Sequence, residues 1–424
     1  MAHLRLERRN PLLKRRCHER SSSRNDGAET MRGNVTRRGK SSWRLKFDIG
    51  ADPATGKRLT QYATVRGTKK QAEAELSKRL HQVDGGNYVA NSKETVAEHV
   101  RNWLSAKADL AATTRERFEK LVENQIVPQI GSLILQQLRP AQVTAWHNTL
   151  RKEGGKEGGP LSPATVRQAH RVLHMALASA FEDEKIARNV ASGRKLPKAE
   201  SADIQILQHG QIAPLLEALQ GHWLSPIATV AVGTGMRQGE IMGLRWADID
   251  LDKGSLRVER SLEETKATGL RFKAPKSKAG TRTISLPASV VDAVKAHRKR
   301  QLEQRLALGL GKPGKDALVF CGPEGEAIAP SRVSGAWRDA IDRLRKPAED
   351  GAATVELPKV RFHDLRHTHA SALIAGGLDV VAISRRLGHA SPVVTLSVYA
   401  HLFKRSDDGA AAAIEAAMRT GAEQ

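Results

Sequence analysis

The 424-residue chain has few cysteines, few aromatic side chains and no long apolar run. Its two cysteines, Cys17 and Cys321, lie far apart without ligand-like spacing, which argues against a disulfide framework or a cysteine zinc site. No segment approaches the roughly 20 apolar residues of a membrane span, and the basic start lacks the apolar stretch of a signal peptide. These absences favour a cytosolic protein without a membrane partner. Only three residues are tyrosines, and Tyr399, near the end of the chain, raises the question whether it has more than a packing role.

Acidic residues are too few to balance the basic ones. The chain has 69 Lys and Arg against 46 Asp and Glu, a formal net charge of +23. Such an excess indicates a polyanionic partner, most simply nucleic acid, although charge alone does not separate DNA, RNA and an anionic membrane. The basic residues are dispersed along the chain, which favours an extended contact surface over a single basic tail.

Residue patterning predicts a multidomain, mainly α fold with small β-sheets. Residues 1–33 are polar and arginine-rich and are expected to form a flexible tail. Alternating residues followed by a helical pattern after Thr68 predict a small α+β module over 34–88, a three-stranded sheet plus one helix. Residues 92–190 have helical periodicity, and 191–202 form a basic, proline-containing linker.

The segment 203–405 is expected to be a mixed α/β domain that is mostly helical. Within it, "LRVER" and "TRTISL" alternate as two antiparallel strands would, and "ALVF" is a candidate for a short strand. The remaining residues, 406–424, contain an alanine-rich stretch and predict a tail helix.

Three clusters in this segment have unusual chemistry, and the first is "GTGMRQGEIMGLRW". Arg237 lies at a helix start, and Glu240 follows three positions later on the same face. Helix N-termini favour anions, and an arginine there adds a fork of donors for a phosphate or carboxylate. The alternative is an ordinary helix start with an Arg–Glu ion pair.

The second cluster is "RFHDLRHTHASALIAGG". His363 and Arg366 are three positions apart, so a helix points both the same way. A histidine can carry a proton near neutral pH, and an arginine can hold an anion. His363 and His367 have a zinc-ligand spacing, and His369 is close by. No glutamate occupies the base position of a His-Glu-x-x-His motif, so no metal site is expected.

The third cluster is "LGHASPVVTLSVYAH". Gly388 ends one helix, His389 follows it directly, and the next helix carries Tyr399 about two turns later. The alternative is that Tyr399 packs with Val394 and Val398 as a half-buried aromatic residue.

Together the clusters fit attack on a DNA phosphodiester. Two arginines can hold the charge that develops on the nonbridging oxygens. A tyrosine can supply an oxygen nucleophile that forms a covalent phosphotyrosyl bond. A lysine or histidine must protonate the departing 5′-oxygen, and Lys278, in the turn before "TRTISL", can add a cation at a hairpin tip. This chemistry requires no metal, nucleotide or other cofactor.

The three motifs, in this order, resemble those of the tyrosine recombinases, the phage-integrase family. The resemblance implies a site-specific DNA recombinase, the integrase of a phage or other mobile element, which cleaves and rejoins DNA through a 3′-phosphotyrosyl intermediate without metal or ATP. It implies Arg237 and Arg366 as phosphate clamps, His363 as a proton-transfer partner of the nucleophile, His389 as a further phosphate donor, and Tyr399 as the nucleophile.

Two further residue roles follow from the resemblance. The hairpin lysine is assigned to Lys278, with Lys276 as the alternative, and Glu240 is expected to orient an arginine. In addition, four residues of the N-terminal module are candidates for DNA contact: Arg44, Lys46, Lys57 and Arg58.

The resemblance also implies an organisation and partners. It makes 34–88 an arm-type DNA-binding module, 92–190 a helical core-binding domain, 203–405 the catalytic domain and 406–424 a tail that contacts a neighbouring protomer. The expected partner is double-stranded DNA carrying attachment or recombination sites, bound by a homotetramer in the bacterial nucleoid. Accessory DNA-bending or directionality proteins are candidate partners.

Other interpretations remain as alternatives. Within the family, these are a chromosome-dimer-resolving or transposon-type recombinase, or a relative that only binds DNA. A type IB topoisomerase shares the chemistry, but the separate N-terminal module favours recombination. "GLGKPGKD" fits the spacing of a phosphate-binding loop, but Asp316 stands where Ser or Thr is needed.

Overall fold

The computed structural model is a multidomain, mainly helical protein with small antiparallel sheets, which confirms the predicted fold class. Lys276 and nearly all of the predicted tail at 1–33 lie outside the described residues, as does part of the predicted linker. Packing divides the chain into two units, the first made of residues up to Ser92 with Phe181–Arg188 and the second of the rest. The described residues are 33–52, 55–85, 88–198, 204–275, 278–346, 356–403 and 407–419.

The N-terminal module is a three-stranded antiparallel sheet with one helix on one face. Its elements are β1 (Gly33–Gly39), β2 (Ser42–Ala51), β3 (Arg58–Arg66) and α1 (Lys69–Asp84), with the strands paired in chain order. Alternation along β2 turns Leu45 and Phe47 toward Ala72 and Leu76 of α1, and the four form the module's core. Thr68 caps α1 through a capping box, as predicted.

The next segment is helical, as its periodicity predicts. Its helices are α2 (Val96–Ala106), α3 (Ala112–Leu121), α4 (Val127–Ile130), α5 (Pro140–Glu153) and α6 (Pro163–Glu182). In α2, the side chains of Val96, Val100, Trp103 and Leu104 are buried, because their spacing places them on one helical face. A π-helical turn at Val122–Ile126 joins α3 to α4.

The C-terminal segment combines helices with two small sheets. Its helices are α7 (His209–Ala218), α8 (Ser225–Thr234), α9 (Gln238–Met242), α10 (Ala288–Ala307), α11 (Pro330–Leu344), α12 (Asp364–Ala375), α13 (Val380–Leu387), α14 (Pro392–Tyr399) and α15 (Asp407–Arg419). One sheet has the order β4 (Ile249–Asp250), β5 (Ser255–Val258) and β8 (Arg282–Ser285), and the other pairs β6 (Ser261–Thr265) with β7 (Gly269–Lys273). Among the described residues, no helix is long and apolar enough to cross a bilayer.

The strand predictions for this segment are partly right. β5 pairs with β8 in antiparallel register, which confirms the predicted pairing of "LRVER" with "TRTISL". The prediction of a strand at "ALVF" is wrong. There Leu318 makes only an isolated bridge with Arg245, and Val319 and Phe320 are buried in the core. The Val319 N–H donates to the carbonyl of Leu244, but its own carbonyl is bonded by the side chains of His297 and Gln301 on α10, so no strand partner is paired there.

A large apolar core positions the helices that carry the first two motifs, and a smaller cluster of Ala370, Ile383, Leu387 and Tyr399 holds the helices of the third motif against α12. The large core includes Leu215 of α7, Ile227 of α8, Trp337 of α11 and Leu365 of α12, all almost fully buried. Helices α8 and α12 pack directly against each other. As a result, the turn after α8 lies next to the first turn of α12, although the two are more than a hundred residues apart in sequence.

Burial in this core can be tested with a matched pair of leucines. Leu215 on α7 has no exposed surface, whereas 79% of Leu306 on α10 is exposed. We expect Leu215→Ala to lower the free energy of unfolding by about 2–5 kcal/mol, because it removes buried methyl groups and leaves a cavity. Leu306→Ala should change it by no more than about 0.5 kcal/mol. Urea unfolding followed by tryptophan fluorescence measures both, and equal losses would contradict the assignment of this core.

Candidate active site

Arg237 is positioned by a turn that requires glycine. Helix α8 is capped by Gly235, whose φ of 66° is left-handed, and a Cβ there would lie 2.5 Å from the ring of His369. The chain then turns sharply, and Arg237 begins α9 with extended backbone. Its guanidinium donates to the Glu240 carboxylate at 2.8 Å and to the carbonyl oxygen of Gly388 at 3.3 Å.

The Glu240 carboxylate is the negative charge around which arginines gather. Its side chain is buried, and besides the Arg237 guanidinium it accepts from the Arg237 backbone N–H at 3.0 Å and from Arg282 at 2.9 Å. Burial alone would raise the pKa of Glu240, but Arg282 and Arg237 outweigh burial and hold the pKa below its ordinary value. Glu240 therefore orients two arginines, where the sequence predicted one.

Two further arginines lie at this place, Arg282 and Arg386, and neither is among the site residues predicted from the sequence. Arg282, on β8, is buried and donates to the backbone carbonyl of Arg386 at 2.7 Å. Arg386, on α13, donates to His369 Nε2 and to the carbonyl of Gly233, both at 3.1 Å. In the sequence, Arg282 occupies a polar position of an alternating strand, and Arg386 belongs to an ordinary "RR" pair. Only the tertiary fold turns them inward.

Arg366 lies in the first turn of α12 and is 4% exposed. Its Nη1 donates to the carbonyl oxygen of Gly235 at 2.7 Å, and its Nη2 donates to that of Leu387 at 2.8 Å. Burial, followed by the positive charge of Arg237, lowers the pKa of Arg366 to about 9, so the guanidinium is still protonated at neutral pH.

Arg237 and Arg366 meet at the end of α13. Arg237 donates to the carbonyl of Gly388, and Arg366 donates to the carbonyl of the preceding residue, Leu387. A guanidinium has five N–H donors, and the contacts of each arginine within the described residues use two of them. Both can therefore donate to the oxygens of one phosphate as well.

His389 follows the second glycine turn of the site. Gly388 is left-handed, with φ of 68°, and a Cβ there would lie 2.8 Å from Arg282 Nη1. His389 Nδ1 hydrogen-bonds the hydroxyl of Thr395 at 2.8 Å, so a ligand would meet Nε2. Burial, and then Arg366 and other nearby arginines, lower the pKa of His389 to about 4, and the imidazole is neutral at pH 7.

Tyr399 ends α14 and is 3% exposed. Its ring packs with Ala370, Ile383 and Leu387, so the packing role considered from the sequence is real. The hydroxyl nevertheless has a polar partner, because its oxygen lies 2.6 Å from Nδ1 of His367. Burial raises the pKa of Tyr399 to about 12, although the positive charge of a nearby arginine opposes this shift.

The three histidines of the second motif have different surroundings. His363 is exposed, and its ring stands almost perpendicular to that of His367 with centroids 5.3 Å apart. His367 contacts Tyr399, whereas His369 bonds the carbonyl of Val232 at 2.7 Å and accepts from an arginine. They do not converge as metal ligands. Within the described part of the chain, no group of three or more His, Cys, Asp or Glu could hold a metal ion.

The predicted hairpin lysine lies at a different kind of turn. Lys278 begins a short 3₁₀ turn, Lys278–Gly280, that leads into β8. This turn is not a hairpin tip, because β6 and β7 pair with each other and form a separate hairpin. The turn borders the site, since the carbonyl of Gly280 accepts from Arg282 at 3.0 Å. The alternative, Lys276, lies outside the described residues.

The four N-terminal candidates belong to the first unit. Arg44 and Lys46 alternate with the buried residues of β2 and so lie on the sheet face opposite α1. The Arg44 guanidinium stacks 4.1 Å from the centre of the Tyr62 ring. Lys57 is exposed just before β3, and Arg58 forms an ion pair with a carboxylate of β2 at 2.7 Å. This face therefore presents basic groups and one exposed aromatic ring.

Comparison with known proteins identifies the family. Residues 205–406 match the phage integrase family, and residues 95–151 match the phage integrase N-terminal SAM-like domain. A tyrosine recombinase XerC-like protein of Caldanaerobacter subterraneus subsp. tengcongensis is 27% identical over 397 residues, which cover 89% of this chain and 96% of the relative. An integrase of Streptomyces ambofaciens is 28% identical over 362 residues, which cover 84% of this chain and 88% of the relative.

A solved structure supports the same fold. The Tn1549 transposon integrase in complex with transposon right end DNA superposes with a TM-score of 0.64 at 22% identity, covering 76% of this chain and 98% of that one. The two matched family segments span more than half of the chain, and all three sequence motifs lie within the longer segment. The chain therefore belongs to the phage integrase family, the tyrosine recombinases, which catalyse DNA strand exchange without metal or ATP.

Proposed function

We propose that Tyr399 is the nucleophile with which this recombinase, the integrase of a phage or other mobile element, cleaves DNA. The proposal is carried by one observation, the convergence of Arg237 and Arg366 on the adjacent carbonyls at the end of α13. His389 follows those carbonyls directly, and Tyr399 packs on the same helix end. A phosphodiester bound by these groups would have its nonbridging oxygens against cations and the tyrosine within the same site.

In the first step, the phenolic oxygen of Tyr399 attacks phosphorus, a tyrosyl–phosphate bond forms, and the bond to the 5′-oxygen breaks. Arg237, Arg366 and His389 stabilise the charge on the nonbridging oxygens, which grows in the transition state. Lys278 protonates the departing 5′-oxygen from the turn that borders the site. A 5′-hydroxyl of the partner strand then attacks the phosphotyrosine and restores Tyr399, so no external energy source is needed.

His363 keeps the proton-transfer role that the family pattern gives it. In this chain its ring lies against His367, and His367 contacts the tyrosine hydroxyl. His363 is therefore suited to exchange protons with this histidine–tyrosine pair and, being exposed, with solvent.

The substrate proposed is double-stranded DNA carrying attachment or recombination sites. Support comes from the net charge of +23 and from the relative solved with transposon end DNA. The helical segment at 92–190 and the catalytic segment at 203–405 would bind the core site, joined by the linker at 191–202. The sheet face of the 34–88 module, with Arg44, Lys46, Lys57 and Arg58, would bind a separate arm site.

Assembly and location follow from this activity as further parts of the proposal. Exchange between two DNA sites requires four strand cleavages, which four protomers would supply, and α15 in the 406–424 tail is the candidate contact between them. Accessory DNA-bending or directionality proteins would set the direction, and the reaction would take place on the bacterial nucleoid. Phage and transposon types both fit, and a chromosome-dimer-resolving enzyme is the alternative within the family.

The nucleophile can be tested with a single hydroxyl deletion. Tyr399→Phe should abolish a covalent protein–DNA adduct but leave DNA affinity and stability nearly unchanged, because the buried ring is retained. The measurement is a denaturing gel after incubation, in EDTA without ATP, with nicked duplexes tiled across the DNA that flanks the gene. Tyr88→Phe is the matched control, because that ring packs against Phe47 in the N-terminal module, and it should keep the adduct. An adduct that survives in Tyr399→Phe would show that another residue is the nucleophile.

The proposed arm-binding face predicts a change in salt dependence. Lys46→Ala should weaken binding to the arm-containing duplex and reduce the slope of log affinity against log salt by about 0.9, because one phosphate contact is lost. Lys70→Ala, on the exposed side of α1 in the same module, removes the same charge and should leave the slope unchanged. Fluorescence anisotropy across a salt series measures both. Equal effects of the two variants would rule out the sheet face as the specific contact.

A further inference from the structure

The tyrosine hydroxyl in this site is bonded to a histidine of the second motif to which the resemblance gives no role. The motif pairs His363 with Arg366, but Nδ1 of His367 is the atom that lies 2.6 Å from the Tyr399 oxygen. The two rings are 5.6 Å apart and tilted by 58°. Because Tyr399 is 3% exposed, its hydroxyl has little access to water, and a proton leaving it must pass to a protein group.

We propose that His367 is a catalytic residue that accepts the Tyr399 proton during DNA cleavage and returns it during religation. The inference rests on the proposed function, because it needs Tyr399 as the nucleophile. As the Tyr399 oxygen forms its bond to phosphorus, the phenolic proton passes to Nδ1 of His367, and the 5′-oxygen leaves with a proton from the turn that carries Lys278. In religation the 5′-hydroxyl attacks phosphorus and returns its proton to Lys278, the tyrosyl–phosphate bond breaks, and the departing phenolate takes the proton back from His367.

The surroundings of His367 suit a proton acceptor. Its side chain is half-buried one helical turn beyond His363, with the Tyr399 hydroxyl against Nδ1. Burial is the largest cause that lowers the pKa of His367, Asp364 opposes it, and Arg366 and Arg361 lower the pKa further. The imidazole is therefore neutral at pH 7, and a neutral ring protonated on Nε2 offers a lone pair on Nδ1.

The geometry also separates His367 from its neighbour His369. Both lie on α12, but His369 uses Nδ1 on the carbonyl of Val232 and Nε2 on Arg386, so both of its nitrogens serve the fold. His367 instead directs its bonded nitrogen at the reacting oxygen. This difference supports a chemical role for His367 and a structural role for His369.

The test compares His367→Asn with the parent chain on the nicked duplex that gives the Tyr399 adduct. That duplex is made with sulfur in place of the 5′-bridging oxygen, because a thiolate leaves without a proton and the nucleophile's proton transfer then controls the rate. We expect His367→Asn to slow adduct formation by about 10²- to 10⁴-fold at pH 7, the usual contribution of a positioned acid or base. His401→Asn, an exposed histidine on the turn after α14, is the matched control and should keep the parent rate.

The pH profile distinguishes proton transfer from packing. The parent rate should be flat through neutral and mildly alkaline pH and fall only in acid, where His367 becomes protonated. The His367→Asn rate should rise about tenfold for each pH unit, because the variant must wait for Tyr399, with its pKa of about 12, to lose its proton unaided. If His367→Asn is slow but keeps the flat pH profile of the parent, His367 only packs. If His367→Asn reacts at the full parent rate, an amide suffices as a hydrogen-bond partner. Either result overturns the inference.

The parent chain provides a second measurement that does not depend on how the variant folds. If the parent rate on the sulfur-containing duplex rises tenfold per unit through alkaline pH, no acceptor is at work, and the inference fails. Failure of the proposed function looks different: the parent forms no adduct, or the adduct survives in Tyr399→Phe. A Tyr399-dependent adduct with an unimpaired His367→Asn overturns only the role of His367.

Discussion

The site depends on holding several guanidinium groups together around the buried carboxylate of Glu240. Arg237 and Arg282 both bond Glu240, and Arg366 and Arg386 lie in the same cluster. Like charges repel strongly where water is scarce, so such a cluster forms only where the fold supplies negative charge. Removing one member of a buried ion pair costs about 3–5 kcal/mol, which shows how much the cluster depends on that carboxylate.

The rest of the negative charge that balances these arginines comes from backbone carbonyl groups. Helices α8 and α13 both end at this place, and the carbonyl oxygens of a helix C-terminus carry the negative end of the helix dipole. The arginines donate to these carbonyls, which belong to Gly233 and Gly235 at the end of α8 and to Arg386, Leu387 and Gly388 at the end of α13. Each helix is capped by a left-handed glycine, and a Cβ at either would strike a side chain of the cluster. The two glycines are therefore part of the electrostatic arrangement.

The sequence predicts the members of this site better than its connections. Arg237, Arg366, His389 and Tyr399 could be found because each belongs to a local motif. The packing of α8 against α12, and of α13 and the Tyr399 ring against α12, brings those motifs together. Arg282 could not be found, since a polar residue in an alternating strand has the same local pattern whether it faces water or a buried carboxylate. The hairpin of β6 and β7 was missed for a related reason: β7 is exposed along most of its length, and its pairing with β6 depends on register rather than on a strong apolar pattern.

The same limit applies to the second motif, where the spacing identifies several histidines but does not show which role each one has. Only packing shows that one contacts the tyrosine and another the backbone. Burial, and then nearby arginines, lower the pKa of His367 and His389, and so make each a weaker base in the free protein. A bound phosphate would add negative charge beside the same groups and raise both pKa values. Proton acceptance by His367 would then be more favourable when DNA occupies the site, which would couple the chemical step to substrate binding through electrostatics.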